Sequence, residues 1–199
     1  MNLRKVIAAW ALLLMVLSVS ADEMRIADEM KDSRPPVIPL KEAIGEKALN
    51  DALASGLYTY TGNAKCRLCH RDFFLGRKHD AHDHAFEKLI GTEYESNSRC
   101  LACHTTGHGV KGGFTSIKET PGLMNVQCEG CHGPGSEHIR HNAKGGFLAG
   151  PDRPEILKKM CLSCHNGRWD HSFSNFLNSY SSYKNATPTE STSAAVAGK

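Results

Sequence analysis

The sequence predicts a mainly α fold with long irregular loops, and three observations in its 199 residues predict it. First, the pattern Cys-x-x-Cys-His occurs four times and uses all eight cysteines. Second, stretches before and between these motifs carry apolar residues at helical spacing. Third, the other connections are broken by glycine and proline, which cannot sustain a helix interior. Separations of 34, 28 and 33 residues between successive motifs are too uneven for a solenoid repeat.

The motif carries specific chemistry. Two thiols add to the vinyl groups of a haem, and the histidine beside them ligates the iron. The attachment residues are Cys66 and Cys69, Cys100 and Cys103, Cys128 and Cys131, and Cys161 and Cys164. The proximal ligands are His70, His104, His132 and His165. A zinc site would use the cysteines but gives no reason for a histidine directly after every pair. Disulfides are ordinary in exported chains but do not account for the spacing. The cofactors expected are therefore four covalently attached haem c groups. Only 7% of the residues are aromatic and few long apolar runs exist, so the macrocycles supply the missing interior. The fold class is a compact multihaem c-type cytochrome built around them.

The elements follow in order. Met1-Asn2-Leu3-Arg4-Lys5, an apolar run to Val19 and then Ser20-Ala21-Asp22 form a signal peptide over residues 1–21. The run of roughly 14 is short of the ~20 that a membrane span needs. The chain is therefore expected in the periplasm after cleavage. Residues 22–60 form a polar linker, proline-rich at Pro35, Pro36 and Pro39, and a short amphipathic helix over 41–57. The haem domain spans 61–184, and a Ser/Thr/Ala-rich tail, expected to be disordered, spans 185–199. Within the domain, residues 80–90 lack Gly and Pro and place His82, Phe86 and Leu89 on one helical face. Four glycines between Gly107 and Gly113 make a loop after the second motif. Gly133-Pro134-Gly135 turns the chain after the third, so Glu137 and His138 leave in a new direction. Pro154 opens a helix that leads into the fourth.

Charge excludes some partners. The signal carries two basic residues, leaving 24 − 2 − 21 = +1 for the mature chain, and eight propionates make the holoprotein acidic. Nucleic-acid binding is not indicated, and membrane contact is at most peripheral. Iron chemistry depends on the second axial ligand: two histidines favour electron transfer, whereas an open position admits small molecules. Seven histidines are available for it: His79, His82, His84, His108, His138, His141 and His171.

Cys128-Glu129-Gly130-Cys131-His132-Gly133-Pro134-Gly135, Cys103-His104 with Lys111-Gly112-Gly113-Phe114, and Ala81-His82 with Ala85 together resemble the cytochrome c-five-five-four family. These are tetrahaem carriers that take electrons from hydroxylamine oxidoreductase. The resemblance spans residues 66–165. It implies that His82 pairs with His132 on the third haem, and that His138 or His141, with His138 preferred, pairs with His165 on the fourth. It also implies that the second haem has His104 as its sole protein ligand, with His108 a loop residue. For the first haem the alternatives are His171, His79, His84, Lys184 or an open position, because the family's C-terminal histidine has no counterpart after His171.

The function expected is that of an electron carrier, with hydroxylamine oxidoreductase-like enzymes or membrane quinol-linked cytochromes as redox partners. Nothing in the chain forms a Ser/His/Asp pattern, a phosphate loop or a nucleotide fingerprint. The alternative is a small multihaem reductase acting on nitric oxide, nitrite or hydroxylamine at an open iron, with His108 as proton donor.

Overall fold

The computed structural model describes residues 35–76, 80–141 and 145–166. The signal segment, the residues up to 34, His79, the alternative ligands His171 and Lys184, and the tail lie outside the described residues. The described residues are mainly helical. In chain order the helices are α1 (Pro39–Ile44), α2 (Glu46–Ala54), α3 (Asn63–Cys69), α4 (Arg71–Gly76), α5 (Ser98–His104), α6 (Cys128–His132), α7 (Ser136–Arg140) and α8 (Pro154–Cys164). Among the described residues, β structure is confined to one isolated bridge between Thr105 and Met124.

The described residues divide into two units, those of 39–69 with 128–166, and those of 35–38 with 70–127. In the unit containing the third and fourth motifs, residues 41–57 form two helices rather than the single one expected. Gly45 separates them at a φ of 87°, a left-handed conformation that a side chain disfavours. The break lets α1 pack on α8, burying Leu40 and Ala43. Proline at the first turn of α8 matches the expectation, since its missing N–H has no helical partner at that position. Leu49, Leu148, Ala149 and Met160 complete the apolar interior of this unit.

In the other unit, residues 80–90 depart from the expected α-helix. They form two 3₁₀ turns, Ala81–His84 and Phe86–Lys88. The bond that an α-helix would make from the Phe86 N–H to the His82 carbonyl is replaced at both ends. Phe86 N–H donates to Asn125 Oδ1 at 2.8 Å, and His82 O accepts from Val126 N–H at 3.0 Å. Phe86 and Leu89 nevertheless face inward, as the spacing predicts. Phe86 lies against the Phe114 ring with centroids 5.4 Å apart, and Leu101, Val110 and Leu123 of the same unit are also buried. The glycine-rich stretch after the second motif is a loop, pinned where Thr106 N–H meets Leu123 O and Phe114 N–H meets Thr106 O.

Candidate haem-attachment site

Each cysteine pair lies on a helix: on α3, α5, α6 and α8 in turn. Cysteines at i and i+3 of a helix lie on one face, as addition to the two vinyl groups of one macrocycle requires. None of the eight forms a disulfide. His104 and His132 are the last residues of α5 and α6. His70 and His165 follow directly on the helices that end at Cys69 and Cys164. Helix formation thus delivers two thiols and an imidazole as one local group.

Imidazole tautomers decide which nitrogen can ligate. His104 Nδ1 lies 2.6 Å from the Ala85 carbonyl, and His132 Nδ1 lies 2.9 Å from the Ala149 carbonyl. A carbonyl only accepts, so Nδ1 carries the proton and the lone pair is on Nε2. This outer bond both orients the ring and raises its basicity toward a metal. His138 has the same arrangement, with Nδ1 2.7 Å from Gly145 O. So has His108, with Nδ1 3.0 Å from Phe114 O. His82 Nδ1 faces the Asp80 carboxylate at 3.1 Å, and the same carboxylate caps the His82 N–H. His84 Nδ1 faces Glu87 at 2.9 Å. His141 differs: its Nε2 is 2.7 Å from Glu137 Oε1.

Two residues that sequence reasoning passes over organise the surroundings of the third motif. Phe147 stacks on His138 at a centroid distance of 4.3 Å and lies 5.1 Å from the His132 ring. One phenyl ring therefore buttresses two imidazoles. Glu129, between Cys128 and Cys131, is only 1% exposed. Its oxygens accept from the N–H groups of Thr61, Gly62 and Gly135 and from the Thr61 hydroxyl. Burial, with the Glu129 charge adding, pushes the nearby Tyr60 hydroxyl well above its ordinary value. The only available signal for Glu129 was an acidic residue inside an attachment motif, and for Phe147 an aromatic directly after Gly145-Gly146.

Thiols of the first and third motifs meet. The Cys66 thiol donates to the Gly62 carbonyl at 3.8 Å, and the neighbouring Cys128 thiol, with burial and the Glu129 charge, pushes its pKa up. Burial also pushes up the Cys161 thiol.

Residues 65–133 match the family described as cytochrome c554 and c-prime. Cytochrome c-554 of Nitrosomonas europaea is 34% identical over a 91-position alignment covering 38% of this chain and 39% of that protein. Over these residues the chain is similar to the cytochrome c-554 family. The matched residues hold the first three motifs, and Cys161, Cys164 and His165 lie beyond them. The chain thus spans about two fifths of the curated relative it matches. No solved structure matches it. That likeness implies covalently bound haem c. The residues present fit that group: helix-borne thiol pairs, each followed by histidine, two of those histidines with Nε2 set as the ligating nitrogen. Among the described residues no helix is long and apolar enough to cross a membrane.

Proposed function

We propose that this protein is an exported tetrahaem c-type cytochrome that carries electrons between redox proteins by haem-to-haem hops. The bound haems supply one-electron chemistry at iron. The observation that carries the reading is the repeated local group: a thiol pair on a helix with a histidine at its end, found at all four motifs. The chain's own contribution is attachment, orientation and tuning. The carbonyls of Ala85 and Ala149 hold the His104 and His132 rings in the tautomer that ligates through Nε2.

The packing of α3 against α6 supports close approach of the first and third attachment points, which a short electron path needs. Tautomer geometry supports His138 over His141 as the distal ligand of the fourth haem. His138 engages Nδ1 and has its lone pair on Nε2, whereas His141 commits Nε2 to the buried Glu137. His82 is the distal ligand of the third haem by likeness to the family. The Asp80 carboxylate at Nδ1 would raise its basicity. Donors and acceptors are redox proteins, either hydroxylamine oxidoreductase-like enzymes or membrane quinol-linked cytochromes.

Mass spectrometry of the exported protein is expected to find the mass of four haems added to the chain cleaved after Ala21. Electron paramagnetic resonance of the oxidised protein is expected to show predominantly low-spin haem. Fewer than four attached haems would overturn the tetrahaem reading. Catalytic turnover of nitric oxide, nitrite or hydroxylamine at a high-spin haem would replace the carrier by a reductase.

A further inference from the structure

We propose that Glu129 is a positioning residue for the ligand His138, its carboxylate locking the turn that delivers His138 to the haem held by Cys161 and Cys164. The proposal rests on the tetrahaem reading above and adds a residue that attaches no haem and ligates no iron.

A carboxylate buried to this degree is costly unless hydrogen bonds replace its hydration. Glu129 meets that condition with neutral donors from two separate segments. Oε1 accepts from Gly135 N–H at 2.7 Å and Thr61 N–H at 2.9 Å, and from Thr61 Oγ1 at 3.2 Å. Oε2 accepts from Gly62 N–H at 2.7 Å and also lies 3.0 Å from Thr61 N. Hydrogen bonds to a charged acceptor are about twice as strong as neutral ones. The carboxylate is therefore the point at which three pieces of chain are joined: the third attachment helix α6, the strand of chain entering the first, and the start of α7.

The third connection reaches the ligand. Gly135 immediately precedes α7, and His138 is the third residue of that helix. The bond at Gly135 N thus sets where α7 begins and which way His138 points. The same turn is fixed from Thr59, whose N–H donates to Ser136 Oγ at 2.7 Å. At its far side His138 is held by Gly145 O and by the Phe147 ring. The fit at Gly135 is tight: a Cβ there would stand 3.0 Å from Glu129 Oε1 and 3.5 Å from the Phe147 ring.

Glu129→Gln keeps the shape but turns one acceptor into an NH₂ group facing buried N–H donors, so part of the junction opens. The test is electron paramagnetic resonance of the oxidised, fully haem-loaded protein, with H138A as reference. H138A is expected to convert one low-spin haem to high spin. E129Q is expected to lose the same low-spin signal, wholly or in part, and added imidazole should restore it in both. If H138A changes a haem and E129Q retains every low-spin signal, the role of Glu129 is overturned while the ligand reading stands. If H138A is itself silent, the ligand reading falls and this role falls with it. Should E129Q fail to mature, G135A carries the test. Crowding of Glu129 should produce the same high-spin component, and a wild-type spectrum would overturn the proposal.

Discussion

At the scale of single residues, the decisive contrast is between His138 and His141, three positions apart near α7. Both follow the Gly-Pro-Gly turn, and composition does not separate them. Their ring nitrogens do, because Glu137 takes the Nε2 of His141 while a carbonyl takes the Nδ1 of His138. H141A is accordingly expected to keep all low-spin signals and to cost about 1–3 kcal/mol, because it takes a hydrogen-bond partner from the buried Glu137 carboxylate. Loss of a low-spin signal in H141A by electron paramagnetic resonance would reverse the assignment. The thiols and histidines proposed for attachment are legible in the sequence because attachment needs residues adjacent in the chain. The roles of Glu129 and Phe147 were not, since their partners lie up to 68 residues away.

At the scale of elements, the helices are short, from five residues in α6 and α7 to eleven in α8. Helices of this length are marginal alone in water, so tertiary contacts must hold them. The turns over residues 80–90 show how. Periodicity placed Phe86 and Leu89 inward correctly, yet tertiary bonds from Asn125 and Val126 displaced the α-helical bond between Phe86 and His82. Asn125 adopts a φ of 64°, a conformation in which asparagine is among the more tolerant residues. Phe86 is fully buried against Phe114. Phe86→Ala is expected to cost about 3–5 kcal/mol, read as a lower midpoint in denaturant unfolding of the holoprotein. A change under about 1 kcal/mol would mean that the Phe86 pocket collapses easily or is filled by other groups.

At the scale of the whole molecule, the apolar interior formed by the described residues is small. Several large apolar side chains stay exposed near the motifs, including Leu68 within the first, Phe73 just after it and Leu162 within the fourth. Leu68 is 78% exposed, which an attached macrocycle would relieve. Ordering a residue costs on the order of 1–2 kcal/mol of backbone entropy, so a sparse side-chain core leaves little margin. Protein made without haem attachment is expected to be unfolded by circular dichroism. A cooperative, helical apoprotein would show that the polypeptide packs well enough alone.

The sequence by itself determined the proposed chemistry of attachment, its thiols, its adjacent histidines and its cofactor class, because these are local in the chain. It also placed the α8 start at Pro154 and the loop after the second motif, where proline and glycine act on their own backbone. Only the tertiary structure decided that Gly45 splits the first helix so that α1 meets α8, and that residues 80–90 are 3₁₀. It alone decided which nitrogen each imidazole presents, and that Glu129 joins the remote residues Thr61 and Gly62 to the turn at Gly135. For the 3₁₀ turns and for Glu129 the physical reason is a hydrogen bond between residues far apart in the chain, which outweighs the local preference and of which periodicity carries no record.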